Sequence, residues 1–202
     1  MSWPTPGQEG VVRTTLLDDT TAAKCDAKRW AREKAAKVGA GVWMWWTDGS
    51  RSDNGRVGVA AVCKHRNEWR SYRSFLGTGH MEVFDAELWA IGLALDVAID
   101  KTESLQNHRV KTVVVFSDSQ AVMRRATQLE PGPRQRLARR INRRVRSLLA
   151  HSIAIQVHWV PGQSGIPGNK EGDRQTNLAQ DASGSTVIVR PYSSASNKAR
   201  RI

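Results

Sequence analysis

Residues 42–46, Val-Trp-Met-Trp-Trp, form an unbroken apolar run that ends at Asp48-Gly49. A run this short with no polar face does not suit an amphipathic helix. It suits a strand buried on both sides, so whatever sheet contains it must be covered on both faces. Residues 55–63 and 69–76 are also strand-like and are joined by a polar turn at 64–68, which predicts an antiparallel meander of three strands. Phe84, Leu88, Ile91 and Leu95 then recur at helical spacing. Residues 113–116 read as a second buried strand, closed by Ser117-Asp118-Ser119, with a brief helix expected over 120–128. Ile153, Ile155, Val157 and Trp159 alternate with Ala154, Gln156 and His158, the period of a strand with one exposed face. A glycine-rich loop at 162–168 precedes a helix expected over 169–181. The fold class is therefore α/β: a five-stranded mixed sheet, strands 1 to 3 antiparallel and strands 4 and 5 parallel, with helices on both faces.

The chain has 202 residues, enough for one domain with a full core and flanking segments. Residues 1–40 contain few large apolar side chains and are expected to be a linker or to pack on a domain edge. Residues 41–183 carry the core elements, and 184–202 read as a basic, disordered tail rich in serine. Lysine and arginine total 31 against 19 acids, a formal charge of +12, which favours a polyanionic partner such as nucleic acid. Cys25 and Cys63 lie in unlike settings and make neither a metal spacing nor a disulfide framework. No run approaches a membrane span, and residues 1–10 lack the pattern of a signal peptide. The expectation is an intracellular protein of the nucleus or cytoplasm, monomeric as an isolated domain.

Four carboxylates stand where core elements start or end: Asp48, Glu87, Asp118 and Asp173. Each alone is explained by a turn or a helix cap. As a set, they fall where an open sheet gathers its connections, beyond the carboxyl ends of its strands. Clustered carboxylates repel one another unless a hard cation neutralises them. All-oxygen donors suit Mg²⁺ or Mn²⁺ in place of zinc, and two such ions would suit in-line phosphodiester hydrolysis.

The residues also carry a resemblance. Thr47-Asp-Gly-Ser50, Ala86-Glu-Leu88, Ser117-Asp-Ser-Gln120 and Trp159-Val-Pro-Gly-Gln-Ser-Gly-Ile-Pro-Gly-Asn169 occur in the order and at the intervals of a type 1 ribonuclease H, from about Trp43 to Ala182. The wording of the last motif is most similar to ribonuclease H domains of non-LTR retrotransposon reverse transcriptases. The resemblance implies a ribonuclease H-like fold. It implies that Asp48, Glu87, Asp118 and Asp173 bind two Mg²⁺ ions, for which Mn²⁺ can substitute, and direct water at the RNA strand of an RNA/DNA hybrid. Asp48 and Asp118 would bind or bridge the ions, Glu87 would also contact the RNA ribose, and Asp173 would hold the second ion. Gly49, Ser50, Asn54 and Gln120 are the first candidates for hybrid contacts, and Gln163 lies in the loop before the last acid. An upstream reverse transcriptase domain is the partner this implies.

Three departures from the family pattern matter. Gln163 stands where many cellular members carry a histidine, and glutamine cannot shuttle a proton near neutral pH. Lys170 replaces an acid beside Asn169, so its cation either weakens metal binding or points to solvent. The stretch Glu82-Val-Phe-Asp85 lacks the threonine and asparagine with which some members hold the DNA strand.

Leu137, Ile141, Val145 and Leu148 make the apolar stripe of one more helix, whose surface carries Arg134, Arg136, Arg139, Arg140, Arg143, Arg144 and Arg146. Arg139, Arg140, Arg143 and Arg144 are expected to track phosphates, against the alternative of a merely solvated face. Trp43, Trp45, Trp46, Trp69, Trp89 and Trp159 fit core packing, while Trp3 and Trp30 lie outside the core elements. The five histidines do not pair at ligand spacing, and His158 is expected on the exposed side of its strand. Two rivals remain: a weak or inactive nucleic-acid-binding module of the same fold, and a DNA-directed nuclease of the same superfamily.

Overall fold

A computed structural model describes residues 12–15, 25, 28–29, 32–33, 41–65, 68–79, 81–127, 135–162, 165–182 and 188–191. The apolar run at 42–46 is the first half of a ten-residue strand, β2 (Val42–Arg51). It forms an antiparallel meander with β3 (Arg56–His65) and β4 (Glu68–Thr78). Helix α1 (Val83–Asp100) and the short α2 (Thr102–Asn107) lead to β5 (Thr112–Ser117). Next come α3 (Gln120–Thr127), α4 (Gln135–Ala150), β6 (Ala154–Trp159) and α5 (Pro167–Asp181). Strands β6, β5 and β2 are mutually parallel. The inner sheet β6-β5-β2-β3-β4 is thus the expected mixed five-stranded one.

Two further strands extend it. Val12–Thr15, β1, pairs in parallel with β6, and Ile188–Pro191, β7, pairs antiparallel with β4. The serine-rich composition of residues 184–202 predicts disorder, yet Ile188, Val189 and Arg190 include a β-branched pair that completes the ladder of an otherwise open edge.

Alternation within the strands sorts the sheet into two faces. Trp45, Ala61, Cys63 and Val115 face α1 and α4, whose Leu88, Ile91, Leu95, Ile141, Val145 and Leu148 complete one buried cluster. Met44, Trp46, Val62, Val114 and Phe116 form a second cluster on the opposite face with Val160 and Ile166, and α5 lies across β3 and β2. A strand with both faces covered needs the apolar uniformity that residues 42–46 show.

Two more points of the sequence reading are corrected by the sheet. Asp48-Gly49 does not end its strand: Asp48 pairs with Ala60 and Gly49 with Val59 within β2. The glycine serves a close approach instead of a turn, since a Cβ there would lie 2.3 Å from the Ala86 carbonyl carbon. His158 is not on an exposed face either; it is 5% exposed, with its ring 6.1 Å from Phe116. Among the described residues, no helix is long and apolar enough to cross a membrane.

Candidate active site

The parallel pairing of β2 with β5 runs from Val42↔Thr112 to Trp46↔Phe116. Asp48 and Asp118 each follow two residues after that last pair, so the register delivers them to the same edge. Thr47 fastens the junction by donating its hydroxyl to the Phe116 carbonyl at 3.1 Å, and the Trp159 indole N–H donates to the Asp118 carbonyl at 2.9 Å. Glu87 arrives from α1, whose backbone touches β2 at Gly49. The result is a cluster in which Asp48, Glu87 and Asp118 each offer an oxygen within 4.8 Å of the others.

Asp173 takes a different station. It lies on α5 at the rim of a cleft of about 400 Å³ lined by Thr47, Asp48, Asp118, Gly165, Asn169, Lys170 and Asp173. Helix α5 is held against β2 by Thr176, which donates to the Asp48 carbonyl at 3.2 Å, and by Gln180, which donates to Ser50 Oγ at 2.7 Å.

Burial and mutual repulsion show in the proton affinities. The Asp48 carboxyl is raised from 3.8 to about 6, first by burial and then by the charges of Asp118 and Asp173, against a hydrogen bond from Thr176 that lowers it. Glu87 is pushed well above its ordinary value by burial, with Asp48 and Asp118 adding to the effect. Asp118 is raised by burial and by Asp173. Among the described residues, Asp48 Oδ2 and Glu87 Oε2 are buried without a hydrogen-bond partner. Buried carboxylate oxygens left unpartnered are costly, and a hard divalent cation matches both their charge and their all-oxygen chemistry. The donor set therefore fits such an ion.

The remaining candidates separate. Gly49 and Ser50 adjoin the acids, but Ser50 is engaged by Gln180. Asn54 stays in the β2–β3 turn, where it accepts a hydrogen bond from Ser52 at 2.6 Å. Gln120 opens α3, two residues beyond Asp118. Gln163 lies outside the described residues, as do His80, Trp3 and Trp30. Arg139 and Arg143 are exposed on α4, whereas Arg140 sits 4.4 Å from the Trp89 ring centroid. Arg144 departs from the expected phosphate-facing set: it is 7% exposed and its guanidinium forks onto Asp96 of α1. The cause is the path of α4 across α1, where Gly92 leaves room for the guanidinium 3.5 Å from the position a Cβ would take. Thr47 and Asn169 also line the cleft; the sequence reading passes over them as site residues, although both belong to the quoted motifs. Lys170 reaches the acid cleft and forms no ion pair with the described residues.

A family model described as RNase H matches residues 41–182. The structure resembles RNase H1 from the halophilic archaeon Halobacterium salinarum NRC-1, at 22% identity over 70% of this chain and 98% of that one, with a TM-score of 0.51. It also resembles the N-terminal RNase H domain of a Mycobacterium tuberculosis protein, solved as a maltose-binding-protein fusion, at 20% identity over 69% of this chain and 94% of that one, TM-score 0.51. A third likeness is to LC11-RNase H1 in complex with an RNA/DNA hybrid, at 19% identity over 69% of this chain and 96% of that one, TM-score 0.52. At these identities the likeness shows a shared fold. No curated protein matches the chain.

Proposed function

The chain belongs to the ribonuclease H family, and on that premise we propose that it hydrolyses the RNA strand of RNA/DNA hybrids with two divalent metal ions, Mg²⁺ or Mn²⁺. One observation carries the reading: Asp48, Glu87 and Asp118 bring carboxylate oxygens within 4.8 Å of each other, while Asp48 Oδ2 and Glu87 Oε2 are buried without a hydrogen-bond partner among the described residues. Asp48, Glu87 and Asp118 would hold one ion, and Asp173, across the cleft, would help hold the second. When bound, the ions supply activation of water and neutralisation of charge on the phosphodiester. Glu87 also meets the RNA ribose. The backbone at Gly49 with Ser50, Asn54, Gln120 and Gln163 contacts the hybrid, and Arg139, Arg140 and Arg143 follow its phosphates. The hybrid bound to LC11-RNase H1 supports this substrate.

The unit doing this work is residues 41–183, flanked by segments 1–40 and 184–202. The likeness of the motif ending at Asn169 to non-LTR retrotransposon enzymes supports a retroelement polyprotein as its context, with a reverse transcriptase domain upstream. There its task is removal of the RNA template.

The test is cleavage of a strand-labelled RNA/DNA hybrid in Mg²⁺ by the protein and by Asp118→Asn. Cleavage confined to the RNA strand and lost in the variant is the expected result. Binding of hybrid without cleavage by either protein would overturn the reading in favour of a binding module, and cleavage of duplex DNA would redirect it to a DNA nuclease.

A further inference from the structure

Beside the acid cleft, on the sheet face that carries α5, lies a second cavity of about 440 Å³. Its making follows from register. Met44 and Trp46 share a face of β2, Trp46 pairs with Val62, and Lys64, two residues further along β3, pairs with Trp69 of β4. These side chains therefore line one strip of sheet. Helix α5 covers Trp46 through Gly168, where a Cβ would lie 2.1 Å from the indole. The helix begins at Pro167, so it leaves Val42, Met44 and the outer side of Trp69 facing the cavity.

The walls have a specific character. Trp69 is half-buried and stands edge-on to Trp46, with ring centroids 5.5 Å apart. Trp46 is in turn stacked on Phe116 at 5.3 Å, so the aromatic wall is backed by the core and held rigid. The polar lining is cationic: Lys64 and Arg32 are both exposed, and neither forms an ion pair with the described residues. The Arg32 guanidinium lies 3.9 Å from where a Cβ on Gly165 would stand, and Gly165 lines both this cavity and the acid cleft.

We propose that this cavity binds one unpaired nucleotide of a strand running on from the duplex in the cleft, its base against Trp69 and its phosphate between Arg32 and Lys64. An aromatic wall suits any base, because every base has a π-face, and two cations at the rim suit the phosphate that accompanies it. The volume is within the range of sites that enclose small ligands. The net charge of +12 favours such an occupant over an acid-poor peptide. Continuity through Gly165 makes the cavity an extension of the acid cleft. The inference goes beyond hydrolysis and rests on the proposed function only for the placing of the duplex.

The experiment measures binding of the full chain, without divalent metal, to a blunt RNA/DNA hybrid, to the same hybrid with a short single-stranded extension, and to the single strand alone, and then cleavage of the blunt hybrid once Mg²⁺ is added. The extension should tighten binding about tenfold, the scale of one stacked base. Trp69→Ala should abolish that gain and leave binding and cleavage of the blunt hybrid unchanged, while Trp69→Phe should keep most of it. Lys64→Ala and Arg32→Ala should each lessen the gain and lower the salt slope for single strand by about 0.7. Lys64→Glu is a surface change that decides the matter if Trp69→Ala melts early. No gain from the extension, a gain that survives Trp69→Ala in the folded protein, or an equal gain from an abasic extension overturns the proposal. Single-strand binding that depends on Trp69, with the blunt hybrid neither bound nor cut, would sustain it while removing the proposed hydrolytic function.

Discussion

Gly49 and Ala86 approach so closely that a Cβ on the glycine would lie 2.3 Å from the Ala86 carbonyl carbon and 2.4 Å from the Glu87 nitrogen. Both obstacles are backbone, so nothing can swing aside. This contact sets the depth at which α1 sits on β2, and hence the distance between Glu87 and Asp48. Gly49→Ala is expected to cost at least about 2 kcal/mol, through a forced shift of the helix, and to abolish hybrid cleavage. Urea denaturation and a cleavage assay check this; an unchanged midpoint and rate would show that the contact is not a constraint.

The acid cluster predicts an unusual dependence of metal-free stability on pH. Asp48 is raised from 3.8 to about 6 in the folded protein. Between those values the unfolded chain releases its proton while the folded protein keeps it, so stability falls as pH rises through this window and stays lower above it. The loss from this group is about 3 kcal/mol at most. In metal-free solution at pH 7.5, Asp48→Asn should therefore melt at a higher temperature than the parent. Mg²⁺ should raise the melting temperature of the parent and do much less for the variant. Calorimetry with and without chelator tests both statements, and a variant less stable than the parent in chelator would contradict them.

The arginines of α4 should divide into two classes. Asp96→Asn leaves the Arg144 guanidinium, 7% exposed, without its carboxylate, and a loss of about 2 kcal/mol is expected, less than for a fully buried pair because Asp96 is itself partly exposed. Arg139→Ala and Arg143→Ala should leave the denaturation midpoint in place, weaken hybrid binding and reduce its salt slope by about 0.9 each. Equal effects of all three on stability would refute the inward assignment of Arg144.

Lys170 lines the same cleft as Asp48, Asp118 and Asp173. An ammonium there competes electrostatically with a divalent ion, so Lys170→Gln should lower the Mg²⁺ concentration needed for half-maximal cleavage severalfold, more at low ionic strength than at high. A metal titration at two salt concentrations is the check. No change in either would place the ammonium in solvent.

What the sequence determined by itself was local and periodic. The apolar run before Asp48, the alternation in β6 and the helical stripes of α1 and α4 each follow from side-chain spacing, which encodes which face is buried. The four acids were legible because they stand in or directly beside β2, α1, β5 and α5, in that chain order. The tertiary structure alone decided how the elements meet. Asp-Gly has the composition of a turn, and only the arrival of α1 turns Gly49 into a mid-strand point of close approach. Six arginines on α4 look alike until it crosses α1 and Asp96 draws Arg144 inward. The edge strands β1 and β7 depend on ladders supplied by β6 and β4, far away in the chain. The cavity between Trp69 and Gly165 depends on where α5 starts relative to the register of β3 with β4. Spacing fixes a residue's side of its own element, whereas a contact between elements depends on register and crossing geometry that no single stretch of chain contains.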